Sequence, residues 1–275
     1  MIYSPKKMKE LLDSNEFNFK KKFGQNFIID ENIINSIIKV ADLNKDTLVI
    51  EIGPGAGSLT TKLALSAGFV LCYEIDQTLK EVLDNNLKDI DNIKVIYQDF
   101  LKADVNEELK KYSFSRICVV ANLPYYITTP IVTKIIDDQM PIDKMVIMVQ
   151  KEVGDRFKAS PNSKDYGSLS VFLNYYFDIK KELDVSKNVF LPKPNVDSIV
   201  VTLNKKQQKK VCLNEQVFFK LIRDSFKQKR KNLRNNLKEY DLQKIEKVLL
   251  KYGYDLTCRA EQLDLDVYID IADSL

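Results

Sequence analysis

The sequence predicts an α/β fold with a mostly parallel sheet, followed by a small α-helical domain. Two observations support this prediction. Short runs rich in β-branched residues alternate with helical patterns through the first half of the 275 residues, which is the order expected of βαβ units. After residue 204 the apolar residues recur with helical spacing, and no convincing strand follows. We therefore expect one domain over residues 1–203 and a helical domain over residues 204–275, joined by the polar stretch NKKQQKK.

The individual elements follow from apolar runs bounded by turn residues. The predicted strands cover residues 47–52, 70–74, 94–97, 117–121, 144–149, 169–177 and 198–203. Helices are predicted between them, among others at residues 59–66, 77–87 and 130–138. No internal repeat is present.

Composition excludes several classes of protein. The chain has no histidine, which rules out histidine-based acid–base or triad catalysis. The four cysteines are far apart and form no CxxC pair, so we expect no metal site. No run approaches the roughly 20 apolar residues that span a membrane, and the start of the chain lacks an apolar stretch typical of a secretory signal. The expected location is therefore the cytoplasm.

A glycine-rich turn follows the first long strand, in the stretch LVIEIGPGAGSLT at residues 48–60. Glycine lets the backbone turn tightly and approach a ligand closely. A dinucleotide fingerprint needs glycine or alanine where this chain has Ser58. The spacing of Gly53, Gly55 and Gly57 after Glu51 instead fits the nucleoside-binding turn of S-adenosylmethionine-dependent methyltransferases. An ordinary glycine-rich βα turn is the alternative.

Two carboxylates end the next two strands. The second strand, in LCYEID, ends at Glu74, 21 residues after Gly53, and the third strand, in IKVIYQDF, ends at Asp99. An acid at the first spacing is placed to accept both ribose hydroxyls of a nucleoside, and Asp99 is placed to accept from an adenine amino group. Each acid alone could be a solvated cap. Together with the glycine turn they predict a cofactor site at the carboxyl ends of the strands.

The fourth strand ends in ANLPYYITTP, residues 121–130. The Asn122 side-chain oxygen and the Leu123 carbonyl are two acceptors that can orient an exocyclic adenine amine toward a methyl donor. Pro124 fixes the backbone that presents this carbonyl, and Tyr125 can stack on an extruded base. The alternative is an Asn-x-Pro turn beside two core tyrosines.

The charge of the chain is unevenly distributed. Residues 205–238 hold twelve Lys or Arg against two acids, although the whole chain carries only +3. Within them FKQKRKNLRNNLK, residues 226–238, predicts an amphipathic helix. Its buried stripe would consist of Phe226, Leu233 and Leu237, and its basic stripe of Lys227, Lys231, Arg234 and Lys238 at spacing i, i+4, i+7 and i+11. The basic stripe suits a phosphate backbone, and a solvated helix face is the alternative. The predicted RNA-binding residues are Lys227, Arg230, Lys231, Arg234 and Lys238.

With these motifs together, the chain resembles the ribosomal RNA adenine N6-dimethyltransferases over its whole length. That family carries the NLPY segment and a GQNF segment, which is present here within residues 21–33. The resemblance implies a Rossmann-like class I methyltransferase fold and S-adenosylmethionine as cofactor. It implies that the cofactor pocket contains Asn26, Ile28, Gly53, Glu74, Asp99 and Asn122. From the residues alone, the GQNF segment would be a helix-capping turn.

The stretch NVFLPKPNVDSIVV, residues 188–201, also matches a segment of this family. The match implies that Phe190 faces Tyr125 across the flipped adenine. Stacking on two aromatic faces would recover about 1–3 kcal/mol for each face. Without the family, Phe190 is equally explained as a core residue before a rigid proline turn.

The basic segment resembles the Q-[KR]-R-K-x-L-R-N-x-L stretch of the small-subunit enzymes, with Lys229 where arginine is commoner. This implies dimethylation of two adjacent adenosines in a 16S RNA hairpin near its 3′ end, within an assembling small subunit, by a protein expected to be a monomer. Three alternatives stay open: an antibiotic-resistance methyltransferase of large-subunit RNA, an inactive ribosome-assembly factor, and a nicotinamide dehydrogenase.

Overall fold

The computed structural model describes residues 25–207 and 210–275. Their chain forms two compact units. The first contains residues 25–154 and 180–204, and the second contains residues 155–179 and those from 205 onward. The chain passes from one unit to the other after residues 154, 179 and 204, and the last of these points lies within the predicted linker. The units differ from the predicted domains at residues 155–179, which the prediction assigned to the first domain.

The first unit is built on a sheet whose strands alternate with helices. Its strands are β1 (Phe27–Ile28), β2 (Thr47–Ile52), β3 (Phe69–Tyr73), β4 (Ile93–Ile96), β5 (Arg116–Asn122), β6 (Lys144–Gln150), β7 (Phe177–Val185), β8 (Phe190–Leu191) and β9 (Ser198–Lys205), of which β7 begins and β9 ends in the second unit. Its helices are α1 (Glu31–Ala41), α2 (Ser58–Ser66), α3 (Lys80–Leu87), α4 (Val105–Leu109) and α5 (Thr128–Asp137), and α6 (Lys151–Phe157) runs from this unit into the second.

Seven strands form the main sheet in the order β4-β3-β2-β5-β6-β9-β7. The pairs from β4 to β6 are parallel, and β9 runs antiparallel to β6. The mostly parallel sheet and the six strand positions other than residues 169–177 are confirmed, with ends shifted by at most two residues. The carboxyl ends of β2 to β5 consequently meet at one edge of the sheet.

The core of the first unit lies between the sheet and the helices that cover it. Helix α1 begins after Asp30, whose side chain accepts from the Asn32 backbone N–H at 2.8 Å, as an N-cap does. It buries Ile34 and Ile37 against strand residues of the sheet such as Val49. A parallel sheet covered on its faces needs continuous apolar strands, and every residue of β2 is buried.

The prediction of a strand at residues 169–177 is wrong, because these residues form helix α7 (Ser168–Tyr176). A continuous apolar run of this length fits a buried helix as well as a buried strand. Helix α7 packs on α8 (Glu215–Ser225) in the second unit, where the rings of Tyr175 and Phe218 lie 4.7 Å apart. This aromatic contact explains why residues 155–179 belong to the second unit.

Helices dominate the second unit, which continues with α9 (Leu233–Asn236), α10 (Leu242–Lys251) and α11 (Leu265–Ser274). Each of the four helices from α8 onward begins after an Asn or Asp whose side chain accepts a backbone N–H, which satisfies otherwise unpaired donors. The predicted helical character of this part of the chain is confirmed. Within the described ranges, no helix is both long and apolar enough to cross a membrane.

Candidate active site

A cleft opens at the carboxyl ends of β2 to β5. It holds about 960 Å³ of space, including the part that opens to solvent. All of the predicted cofactor residues line it, namely Asn26, Ile28, Gly53, Gly55, Glu74, Asp99 and Asn122. Leu123, Pro124 and Tyr125 line it as well, whereas Phe190 does not.

The glycine turn and the first carboxylate are joined by hydrogen bonds. Gly55 has φ +61°, and a Cβ at this position would lie 2.6 Å from the Phe27 ring, so only glycine fits without displacement. Its N–H donates to Glu74 Oε2 at 3.2 Å, and the Asp76 N–H donates to Oε1 at 2.8 Å. Both oxygens of Glu74 are therefore held by backbone N–H groups at the edge of the cleft.

Two buried carboxyls give the cleft its electrostatic character. Burial raises the pKa of Glu74 to about 7, and the N–H groups of Asp76 and Gly55 counteract part of this rise. Burial raises the pKa of Glu51 further, to about 8, although the Cys72 thiol donates to it at 3.5 Å. Glu51 had no predicted role beyond its place in the glycine motif. Its position before the first glycine was the available signal, and it also lines the cleft.

Asp99 both caps a short helix and lines the cleft. Its Oδ1 accepts from the Leu101 N–H at 3.0 Å and so caps a short 3₁₀ helix, Phe100–Lys102. This agrees with the alternative that Asp99 is a cap. Because Asp99 also lines the cleft, capping fixes the carboxylate at the cleft rather than removing it.

The NLPY segment is held at several points. The Asn122 Nδ2 donates to the Asn26 carbonyl at 2.9 Å, which leaves Oδ1 as the end of the amide that can accept. The Leu123 N–H donates to the Met148 carbonyl at 3.1 Å. The Pro124 carbonyl accepts from the Ile127 N–H and from the Thr128 hydroxyl. The backbone turn is therefore fixed on both sides of the Leu123 carbonyl.

The two aromatic residues predicted to enclose a base lie in different environments. Tyr125 is half-buried, and its hydroxyl forms a 2.7 Å hydrogen bond with the Ser198 hydroxyl. Phe190 is only 2 % exposed and belongs to the hydrophobic core, where β8 pairs with β1 and Phe190 is opposite Ile28. In this structure Phe190 therefore occupies the core position that was the alternative explanation from sequence.

Strand β1 explains how the GQNF segment reaches the cleft. Antiparallel pairing with β8 positions Phe27 and Ile28, and Gln25 Nε2 donates to Asp76 Oδ2 at 2.8 Å. Asn26 then lies beside Asn122. Phe27 begins a strand, and Gln25 and Asn26 precede it without regular secondary structure, so the described part of the segment is not the helix-capping turn that the residues alone suggested. The segment's earlier residues, 21–24, lie outside the described range.

The basic segment is not the predicted continuous helix. Helix α8 ends at Ser225, and α9 begins only at Leu233. Asparagine side chains bond to nearby backbone groups instead of leaving the helix to continue: Asn236 Nδ2 donates to the Ser225 carbonyl at 2.7 Å, and Asn232 caps α9. The predicted stripe with spacing i, i+4, i+7 and i+11 therefore does not form.

The predicted RNA-binding cations nevertheless share one property. All five are exposed, namely Lys227, Arg230, Lys231, Arg234 and Lys238. Leu233 and Leu237 are buried beneath them, as predicted. Lys229, the residue that replaces arginine, donates to the Lys164 carbonyl at 2.7 Å and so has a contact within the second unit.

The chain is similar to known RNA methyltransferases. A family model described as "Ribosomal RNA adenine dimethylase" matches residues 16–275. Two relatives named "Ribosomal RNA small subunit methyltransferase A" are similar over nearly full length. The one from Oceanobacillus iheyensis is 43 % identical and covers 99 % of this chain and 96 % of the relative. The one from Staphylococcus aureus strain RF122 is 48 % identical and covers 96 % and 92 %.

Two solved structures share the fold. A dimethyladenosine transferase from Plasmodium falciparum superposes with a TM-score of 0.75 at 24 % identity, covering 89 % of this chain and 95 % of its own. The 23S rRNA methyltransferase ErmE gives 0.69 at 26 % identity, with coverage of 91 % and 99 %. The α/β methyltransferase architecture predicted from the sequence is thereby confirmed.

Proposed function

Because this chain belongs to the ribosomal RNA adenine dimethylase family, we propose that it methylates adenosine N6 in small-subunit ribosomal RNA with S-adenosylmethionine. The family description supports the base and the number of methyl groups. The relatives' names support the small subunit. The proposed products are two adjacent N6,N6-dimethyladenosines in a hairpin near the 3′ end of 16S RNA, formed during subunit assembly.

One observation carries the proposed chemistry, namely the fixed direction of the Asn122 amide. Its NH₂ group is bound to the Asn26 carbonyl, so Oδ1 is the end that can accept from an adenine amine. The Leu123 carbonyl supplies a second acceptor in a backbone held by neighbouring hydrogen bonds. Two acceptors directed at the amino hydrogens favour a pyramidal nitrogen whose lone pair points at the methyl donor, and Pro124 keeps the second acceptor in place.

Positioning and electrostatics supply most of the acceleration in such a site. The amine would accept the methyl group from the sulfonium as the carbon–sulfur bond breaks, with S-adenosylhomocysteine as the leaving group, and the proton would then pass from the nitrogen to water. No general base is needed, which agrees with a chain that contains no histidine. S-adenosylmethionine supplies an activated methyl group on a sulfonium.

The cleft fits this cofactor. Glu74 presents a carboxylate that is oriented by two backbone N–H groups, and in the proposal it accepts both ribose hydroxyls. Asp99 accepts the adenine amino group, and the turn at Gly53 and Gly55 lets the backbone approach the ligand closely. Asn26, Ile28 and Asn122 complete the proposed pocket.

Stacking of the target base by Tyr125 and Phe190 is also part of the proposal. Tyr125 lines the cleft and is half-buried, which supports its role in stacking. Phe190 is almost completely covered, so it can serve only after the side chains around it move. We therefore assign stacking on the target base to Tyr125, and to Phe190 only after such a movement.

The second unit is the proposed RNA-binding domain. Its five exposed cations suit a phosphate backbone, although Arg234 is also 3.8 Å from Glu246. The partner is then 16S RNA in an assembling subunit, the protein acts as a monomer, and the location is the cytoplasm. The relatives' names disfavour a large-subunit substrate, and the alignment of Glu74, Asp99 and Asn122 in one cleft disfavours an inactive assembly factor.

The test is transfer of labelled methyl from S-adenosylmethionine to separated, unmethylated small and large subunits, followed by nucleoside digestion. The expected result is labelled dimethyladenosine in small subunits alone. Label in large-subunit RNA would overturn the substrate, and cofactor binding without label in either subunit would favour the assembly factor. In the same assay Asn122→Ala should reduce transfer by about 100-fold or more, and calorimetry of the variant separates loss of catalysis from loss of cofactor binding.

A further inference from the structure

Tyr126 is an exposed aromatic residue in a cleft whose other aromatic residues are mostly covered. Its side chain is 52 % exposed, whereas Phe27, Tyr73 and Phe100 line the same cleft and are buried. Its hydroxyl forms no hydrogen bond within the described ranges. Because aromatic rings contribute large apolar area when they are buried, a ring left open at a cleft is suited to a ligand that covers it.

A second exposed apolar side chain lines this cleft. The described part of the first unit exposes four large apolar residues, which are Leu65, Ile75, Tyr126 and Val196. Ile75 and Tyr126 line the cleft, and the other two do not. Ile75 follows Glu74 directly, so both open apolar groups lie in the cleft that also contains the carboxylates.

The two adjacent tyrosines have different neighbours. The Tyr125 hydroxyl bonds to Ser198, and after burial the nearby charge that raises its pKa is Asp197. For Tyr126 burial also raises the pKa first, and the charges that follow are Asp99 and Glu74. The Tyr125 hydroxyl therefore contacts Ser198 of β9, whereas Tyr126 shares the cleft with Glu74 and Asp99, which follow β3 and β4.

We propose that Tyr126 is a further cofactor-binding residue, whose ring packs on the adenosine part of S-adenosylmethionine and covers it from solvent. This inference rests on the proposed function, because Glu74 and Asp99 mark the adenosine end of the cofactor only in that assignment. The ring closes the open side of the cleft, and Ile75 supplies a second apolar surface for the same group. The NLPYY sequence thus serves both ligands, with Tyr125 for the target base and Tyr126 for the cofactor.

Calorimetric titration without RNA tests the inference, with S-adenosylmethionine and with S-adenosylhomocysteine. Tyr126→Ala should raise Kd by about tenfold for both ligands, because one ring–base stack is worth about 1.4 kcal/mol or more. Both ligands share the adenosine part, so both should lose affinity equally. Tyr126→Phe keeps the ring and should stay within about twofold of wild type. Leu65→Ala removes an exposed apolar side chain outside the cleft and should leave Kd unchanged.

Two results would overturn the inference: an unchanged Kd for Tyr126→Ala, or an equal loss of affinity for Tyr126→Phe. An unchanged Kd accompanied by a raised KM for RNA would also move Tyr126 to the substrate side. Thermal unfolding of each variant should match wild type, since the side chain is exposed. Failure of wild type to bind either ligand would instead reject the proposed function, so the two failures are distinguishable.

Discussion

Replacing Glu51 with glutamine should remove a loss of stability that sets in as the pH rises. Glu51 is 2 % exposed and forms no ion pair within the described parts of the chain. Burial raises its pKa from 4.5 to about 8. The folded protein therefore holds this proton more tightly than the unfolded chain does, so the free energy of unfolding falls as the pH rises from the unfolded pKa to the folded one.

The size of the effect follows from the two pKa values. At about 1.4 kcal/mol per pKa unit, the rise from 4.5 to about 8 corresponds to about 5 kcal/mol. We expect a measured difference of about 2–5 kcal/mol, because buried sites relax and admit water. Glutamine has the shape of the protonated acid and cannot ionise. Glu51→Gln should therefore match wild type near pH 4.5 and exceed its stability by this amount near pH 9.

Urea unfolding at a series of pH values measures the difference directly. The effect of Glu51 is the difference in the free energy of unfolding between the two proteins at each pH. A single curve would not isolate it, because Glu74, whose pKa is also raised by burial to about 7, titrates in both proteins. Cys72 stays protonated through this range, since burial raises its pKa well above 9. Glu239→Gln, at an exposed position, is the control and should run parallel to wild type.

Parallel curves for wild type and Glu51→Gln would refute this reasoning. They would mean that ionisation of Glu51 does not lower the free energy of unfolding. Water would then solvate the carboxylate, either in the cleft as it is or after the glycine turn moves. A curve for Glu51→Gln that is lower at every pH would show that the amide does not fit the site, and Glu51→Ala would then be needed to compare the pH slopes.

Two further predictions concern the cofactor turn and the basic segment. Gly55→Ala should lower the free energy of unfolding by about 1–3 kcal/mol and weaken S-adenosylmethionine binding. The reason is that the new Cβ would lie 2.6 Å from the Phe27 ring, on a residue with φ +61°. Unchanged unfolding and calorimetry curves would contradict this. Arg230→Gln and Lys231→Gln should each weaken binding to small-subunit RNA and reduce the slope of log K against log salt by about 0.7–0.9, whereas Lys88→Gln, an exposed cation of the first unit, should change neither.

The parts of the site that the sequence predicted lie where local chain order determines position. Glu74 follows β3 directly and Asp99 comes soon after β4, and parallel strands bring their carboxyl ends to one edge. No knowledge of packing is required beyond the order of strands and helices. The same reasoning located Asn122 correctly at the end of β5.

The basic segment could not be predicted in this way, because two local preferences compete there. Apolar spacing at Leu233 and Leu237 favours a helix, and both side chains are indeed buried. The asparagines favour capping and turn conformations, and Asn236 bonds to the Ser225 carbonyl across eleven positions. Hydrophobic spacing therefore identified which residues are buried and which are exposed, whereas side-chain–backbone bonds decided the path of the chain.

The contrast between Asn122 and Phe190 shows the same limit within the cleft. The direction of the Asn122 amide depends on the Asn26 carbonyl, 96 positions earlier. The burial of Phe190 depends on the pairing of two-residue strands that lie still further apart in sequence. Neither the Asn122–Asn26 hydrogen bond nor the pairing of β1 with β8 follows a periodic pattern that can be recognised in the sequence. The acceptor role of Asn122 was still predictable because the strand end and Pro124 restrict the backbone locally. The stacking role of Phe190 requires a surface, and only the packing of β1 against β8 determines whether that surface is open to a base.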